Sequence, residues 1–403
     1  MVRVALRDVS VRLDGHEVLR DVGFDVDDGT FAAVVGPSGS GKTTLLRLVA
    51  GLVRQQQGQV LFDGHDVSTV EPGRRGIGMV FQAPALFPHR NVRRNVSFPL
   101  EMRRETTASI RARVDAETRA MHIEHLLLRD PGELSRGEQQ MVQIARTMVR
   151  APRVLLLDEP FAPLDAHLRR TMRAEIKLLQ EGYGVTTLMA TNDPDDLGLL
   201  AEQIIVLGSG PAASPGSGPA DTSPSHSSPP SRSSPSSNPS AGGAGRGGTG
   251  RDGDDGGATT VVQSGSREQI AAAPFSLDVA TSVGHLTTLR ARIEVVSGEA
   301  WIVTPSGSVR LRSWAPTSTT RHGEEVVLGF RAGELVAQPN GGILATFERR
   351  VPGSPEPLLC RVDGRLVNAI DGAARHDHER GAPIRLGAHG WLLFDPVTRL
   401  RIG

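Results

Sequence analysis

The amino-acid sequence predicts an α/β protein: a mainly parallel sheet with helices on both faces, followed by a separate all-β unit. Three observations carry this. Residues 1–208 alternate short apolar runs with helix-like patterns, the pattern of a parallel sheet built from strand–helix units. A Gly-rich loop follows the first buried run. After about residue 283 the texture changes to short β-rich segments broken by Gly and Pro every ten or so residues. A chain of 403 residues is too long for one ordinary domain and fits two or three.

Taken in order, 30–35 is a short apolar run ending at the Gly-rich loop, and 42–53 has helical spacing. The runs 153–157 and 186–190 read as buried strands, apolar from Val154 to Leu157 and from Leu188 to Ala190, as strands covered on both faces are. Two further strands, 203–207 and 260–263, flank the segment 209–257, in which 13 Ser, 12 Gly and 8 Pro fill 33 of 49 positions. Val, Ile, Leu, Met, Phe, Trp and Tyr are absent from that segment, so it buries too little surface to offset its ordering entropy. We read it as a disordered insert in place of a tight hairpin turn, with the first domain resuming over 258–282. In the tail, 283–403, the segments 287–296, 325–330 and 391–394 read as strands of the all-β unit.

Composition narrows the function classes. Basic and acidic residues balance at 45 each, so no global field draws the chain to nucleic acid or anionic lipid. The single Cys360 excludes an intrachain disulfide framework and suits a reducing compartment. No signal-peptide pattern opens the sequence and no run of about 18 apolar residues occurs, so a membrane role is expected to need partners. Only Lys42 and Lys177 among the basic residues are lysines. A lysine kept in so arginine-rich a chain invites a chemical reason.

Gly36-Pro37-Ser38-Gly39-Ser40-Gly41-Lys42-Thr43 supplies that reason. It matches G-x-x-x-x-G-K-[ST] between a strand and a helix, the context a phosphate loop requires. Its glycines let backbone N–H groups curl around phosphate oxygens, and the helix adds the positive end of its dipole. Gly36, Ser38, Gly39, Ser40, Gly41, Lys42, Thr43 and Thr44 are the expected contacts to the phosphates of a nucleotide. Lys42 reaches the terminal phosphates and Thr43 ligates Mg²⁺; an arginine fork fits such a nest poorly. Downstream, the apolar strand 154–157 ends in Asp158 and Glu159. The first is placed to hold the Mg²⁺ shell and the second to polarise a water for in-line attack.

These residues stand in a longer pattern. Leu134-Ser135-Arg136-Gly137-Glu138-Gln139-Gln140, about twenty residues before the carboxylates, resembles the signature of ABC ATPases, usually Leu-Ser-Gly-Gly-Gln. Gln82, in the stretch 80–88, is similar to their Q-loop, and Ala162-Pro163-Leu164-Asp165 to their D-loop. The segment 266–283 and the tail motifs 326–331 and 392–395 look like the importer ATPases of the sugar, polyamine, iron and sulfate group. The resemblance implies an ABC-type P-loop NTPase domain with a helical subdomain at about 83–150 and a C-terminal OB-like (TOBE-like) β domain. It implies a homodimer in which Ser135 and Gly137 of one chain cap the γ-phosphate of ATP held by the other. It also implies Gln82 sensing the metal, two transmembrane permease subunits, an indirect link to a solute-binding protein, no nucleic acid, and a peripheral place at the cytoplasmic face of the membrane.

The chain departs from that family at three places. No aromatic occurs at 9–14, where the family stacks one on adenine; Leu13 stands there instead. Arg136 and Glu138 replace Gly and Gln in the signature and are expected to point to solvent from the helix start. After the run 186–190 the family has a switch His, and this chain has Asn192. An amide donates but carries no exchangeable charge, so we expect orientation to persist and turnover to fall by roughly 10- to 10³-fold; the alternative is that Asn192 substitutes adequately. His376 and His378 are two residues apart with no further ligand, the pattern of solvated histidines. Met141 and Met148 read as core. The expected function is ATP hydrolysis in an ABC importer, with a slow nucleotide-gated switch and an ABC ATPase outside transport as rivals.

Overall fold

A computed structural model describes residues 2–162, 164–208, 258–284, 286–296, 299–310, 322–331, 334–338, 342–350, 357–371, 379–388 and 390–402. The insert 209–257, Pro163 and the His376/His378 pair lie outside the described residues.

Strands β1 (Val4–Leu13) and β2 (His16–Val26) form a hairpin closed by Asp14 and Gly15, both left-handed with φ of 50° and 83°. That geometry is what a two-residue hairpin turn requires. β3 (Phe31–Val35) enters the phosphate loop, and α1 (Lys42–Ala50) leaves it. The helix stops at Ala50, short of the expected Val53, because Gly51 turns left-handed at φ 78° and sends its N–H back to the Arg47 and Leu48 carbonyls. Arg75 completes that end: buried, it donates to Leu48 O at 3.1 Å, which it shares with the Gly51 N–H, and to Val49 O at 2.9 Å, both carbonyls of the last turn.

Next come β4 (Gln57–Phe62), β5 (His65–Asp66) and β6 (Ile77–Val80), then α2 (Val92–Met102), α3 (Thr107–Ala120) and α4 (Arg136–Met148). β7 (Val154–Asp158), α5 (Ala166–Tyr183), β8 (Thr186–Ala190), α6 (Pro194–Leu199) and β9 (Gln203–Gly208) follow, with β10 (Thr260–Ser266), α7 (Arg267–Ala272) and α8 (Leu277–Ser282) beyond the insert. One sheet runs β2-β1-β4-β5 and is antiparallel. The other runs β10-β9-β3-β8-β7-β6 and is parallel except for β10 on β9. Thr260 pairs with Gly208, so the strands meet right up to both ends of the insert, as the sequence led us to expect.

Alternation of side chains divides the parallel sheet between cores. Ala32, Val34, Val154, Leu156 and Leu188 pack with Leu45, Leu46 and Leu48 of α1 on one face. Leu155, Leu157 and Met189 pack with Val96, Met148, Met172 and Ile176 from α2, α4 and α5 on the other. Met141 packs half-buried against this second core. No helix of the described residues is long and apolar enough to cross a membrane.

The remaining strands are β11 (Leu286–Val296), β12 (Glu299–Thr304), β13 (Gly307–Arg310), β14 (Glu325–Arg331), β15 (Leu335–Gln338), β16 (Gly342–Arg350), β17 (Pro357–Val362), β18 (Arg365–Ile370), β19 (Pro383–Ala388) and β20 (Leu392–Phe394). They form one sheet, in which β17 pairs with both β16 and β18, so that β15-β19-β16-β17-β18 close into a ring. Five strands in a closed ring is the count of an OB-like barrel and leaves the ring without edges. Its core is Ile343, Phe347, Leu358, Cys360, Val367 and Leu386 with their neighbours.

Candidate nucleotide site

The phosphate loop lies at the C-terminal edge of the parallel sheet, where α/β sheets bind ligands. Gly36 is crowded: a Cβ there would sit 2.5 Å from Leu207 O and 2.7 Å from Ser40 Oγ. Gly39 and Gly41 are left-handed at φ 83° and 80°, and a Cβ on Gly39 would meet nothing within 4 Å, so the loop is open on its outer side. Ser38 and Gly39 are exposed, while the buried Ser40 hydroxyl has no hydrogen-bond partner among the described residues. A buried hydroxyl without a protein partner fits a loop shaped for an outside acceptor such as phosphate. No side chain caps α1, so the first N–H groups of Lys42, Thr43 and Thr44 also face this point.

Lys42 is 7% exposed, and its Nζ donates to Gly36 O at 2.9 Å and Pro37 O at 3.0 Å. Burial pushes its ammonium below the ordinary lysine value, opposed by the charges of Glu159 and Asp158. Thr43 Oγ1 donates to Asp158 Oδ1 at 2.9 Å. The sequence separates these two residues widely; the sheet joins them because β7 ends beside the start of α1.

Glu159 is the centre of the arrangement. Its backbone is left-handed at φ 44°, a conformation that costs about 1–3 kcal/mol for a residue with a side chain. Its N–H donates to Ala190 O at 3.0 Å, which holds the turn. Glu159 Oε2 accepts from Gln82 Nε2 at 3.0 Å and Oε1 from Asn192 Nδ2 at 3.2 Å. Gln82 follows β6 by two residues and Asn192 follows β8 by two, and β6 and β8 flank β7 in parallel. Three adjacent strand ends therefore deliver one carboxylate and two amides to one place. A cavity of about 350 Å³ borders Glu159 and Asn192, lined also by Phe161, Arg169 and Asp193 among others.

Ser135 and Gly137 are elsewhere. Ser135 is exposed and caps α4, its hydroxyl accepting from Glu138 N at 3.3 Å. Glu138 folds back to accept from Ser135 N at 2.7 Å, closing a capping box. The expectation of a solvent-pointing pair is thus met by exposed Arg136 and corrected for Glu138, whose carboxylate satisfies an otherwise free helix N–H. Gly137 is buried, and a Cβ there would lie 2.0 Å from Leu168 Cδ2, so α4 and α5 approach through it. No hydrogen bond among the described residues joins Ser135 or Gly137 to the phosphate loop of the same chain. Asp165 caps α5 through Leu168 N at 2.9 Å. Leu13 is half-buried and pairs across the hairpin with His16, and Val18 and Leu19 border Gly41.

Sequence reasoning missed the charged residues around Asn192. Arg169 and Arg173, one turn apart on α5, both donate to Asp193 Oδ2 at 2.8 Å, and Arg173 also reaches Asp196. The sequence shows arginines four apart and the acidic residues 193, 195 and 196, but not that α5 faces the loop after β8. No group of three or more His, Cys, Asp or Glu among the described residues could hold a metal ion. Thr43, Asp158 and the free oxygen of Gln82 are nonetheless the hard-oxygen donors that Mg²⁺ takes when phosphates complete its shell.

Loop, helix start, Thr43–Asp158 pair and Glu159 together define a P-loop nucleotide-binding protein. By comparison, residues 19–162 match the family model described as ABC transporter. The chain is 40% identical over 214 residues to the spermidine/putrescine import ATP-binding protein PotA of Vibrio cholerae serotype O1, covering 53% of this chain and 57% of that protein. It is 39% identical over 207 residues to the sulfate/thiosulfate import ATP-binding protein CysA of Synechocystis sp., covering 51% and 58% respectively. The matches span little more than half the length of these curated relatives. A solved structure of cbiO1 from Clostridium perfringens, described as part of the ABC transporter complex cbiONQ, is 31% identical over 50% of this chain and 83% of that one, with a TM-score of 0.48.

Proposed function

We propose that this chain is the ATP-hydrolysing subunit of an ABC importer, working as a homodimer on the cytoplasmic face of the membrane with two permease subunits and, through them, a solute-binding protein. The observation that carries the reading is the convergence on one sheet edge of the Lys42 loop, the Thr43–Asp158 pair and Glu159 held by two amides. The import names of both relatives support the transport role. Backbone N–H groups of 36–44 and Lys42 bind the phosphates. Thr43 and Asp158, with Gln82 beside them, would hold Mg²⁺, which would supply charge neutralisation at the phosphates. Glu159 orients the attacking water and takes its proton, and Gln82 and Asn192 fix the carboxylate for that task. Ser135 and Gly137 serve the ATP of the partner chain, which makes closure of the dimer depend on ATP. The strands from β11 onward form the TOBE-like unit.

The test is phosphate release from ATP by the purified chain with Mg²⁺, and sedimentation with membranes when it is expressed beside its permease subunits. Absence of hydrolysis in both settings overturns the reading. A second reading, slow turnover, is favoured by Asn192 standing where the family's switch His stands. On that reading Asn192→His raises kcat at saturating ATP by roughly 10- to 10³-fold, and an unchanged kcat removes it.

A further inference from the structure

We infer that Arg173 is the positioning residue that sets the Asn192 amide on Glu159, acting through Asp193 and Asp196. The inference rests on the reading of Glu159 as the base. Arg173 is 4% exposed, seated on α5 beneath the loop that leaves β8. Its Nε donates to Asp196 Oδ1 at 2.5 Å and its Nη2 to Asp193 Oδ2 at 2.8 Å. Arg169 adds a second donor to the same Asp193 oxygen and anchors itself on Leu164 O at 3.1 Å.

The loop is tied on both sides of Asn192. Before it, the Thr191 N–H donates to Val34 O at 3.1 Å, and its hydroxyl donates to Asp196 Oδ2. After it, the Asp193 N–H donates to Thr191 Oγ1 at 3.0 Å, while Asp193 Oδ1 caps α6 through Asp195 N at 3.0 Å. Asp196 is buried at 3% exposure; burial pushes its carboxyl above the ordinary value, and Thr191 and Arg173 oppose this. Thr191, Asp193 and Asp196 thus form a closed network whose cationic centre is Arg173. Asn192 is the residue this network brackets, and it is exposed, with its amide 3.2 Å from Glu159 Oε1. That distance leaves little slack. A loop shift of about half an ångström lengthens the contact beyond a hydrogen bond. Misplacing a group by about 1 Å from outside the reacting atoms is enough to lower turnover strongly.

A buried arginine is also structural, so the experiment separates the two roles with a double-mutant cycle in the full chain. Arg173→Lys and Asp193→Asn are each made alone and together with Asn192→Ala, and kcat and KM for ATP are measured with Mg²⁺. Asn at 193 still caps α6 but loses the charge both arginines share, so it carries the cycle if the lysine variant does not fold. Expected is an approximately tenfold fall in kcat for each single variant, with KM within twofold, and no further fall when Asn192 is already Ala. Equal fold losses in both backgrounds, or an unchanged kcat in either single variant or in Asn192→Ala, overturn the inference. If the unaltered chain shows no hydrolysis that Glu159→Gln removes, the functional reading fails, and this inference falls with it.

Discussion

The phosphate edge of the parallel sheet and the five-stranded ring near the C-terminus use opposite means of bringing distant residues together. At the edge, strands that are neighbours in the sheet point the same way, so their ends meet, and Gln82, Glu159 and Asn192 arrive side by side although 77 and 33 residues separate the partners. In the ring, antiparallel pairs run their lengths against each other, as Leu358 with Ala369 and Ile343 with Leu386, and what converges is an apolar interior. Parallel strand ends concentrate chemistry; the ring, antiparallel in four of its five pairings and closed by the parallel pairing of β15 with β18, concentrates stability. The two regions should therefore fail differently when damaged.

The largest expected effect is at the edge. Gly36→Ala puts a methyl 2.5 Å from Leu207 O, a backbone atom that cannot swing aside, so nucleotide affinity should fall at least about a hundredfold. Gly39→Ala meets no atom within 4 Å and carries only the strain of φ 83°, about 1 kcal/mol, so its loss should be about tenfold or less. Equal losses by equilibrium ATP titration break the comparison. In the ring, Leu386→Ala should lower unfolding free energy by about 2–5 kcal/mol, because the residue is fully buried, while kcat stays within twofold. A denaturant titration beside an activity assay checks both halves.

A smaller effect concerns the seam. Replacing 209–257 with Asn-Gly joins Gly208 to residue 258 just where β9 and β10 begin to pair. Shortening that connection lowers the closure entropy by up to about 2–3 kcal/mol, so the melting temperature should hold or rise. A fall of several degrees contradicts this.

The smallest effect is at Cys360, whose thiol burial pushes up to about 11 from its ordinary value of 9.0. A pKa raised by folding means stability that is complete below about 9 and lost as pH rises through about 11. At pH 8 the folded chain should react with a thiol reagent only as fast as it unfolds. Prompt labelling contradicts the burial.

These contrasts also show what could be read beforehand. The phosphate loop and Asp158-Glu159 were legible because their chemistry demands particular residues at fixed spacing, and the strand ends around them followed from apolar runs. The pairing across the insert was legible from two flanking strands alone. Glu138 was misjudged because its partner is its own helix cap, a local bond that a signature comparison hides. Arg173 was missed because its meaning depends on α5 lying under the β8 loop, which no local pattern states. The ring closure through β17 was hidden for the same reason: its strands have short alternating patterns, and nothing in them names a partner.

Lys42 and Glu159 divide binding from turnover, so ATP affinity and turnover should be measured side by side in Lys42→Ala and Glu159→Gln. The lysine variant should lose ATP binding outright, whereas the glutamine variant should bind ATP within a few-fold of the unaltered chain and lose turnover by at least about a hundredfold. Turnover that survives Glu159→Gln, or ATP binding that survives Lys42→Ala, contradicts that division.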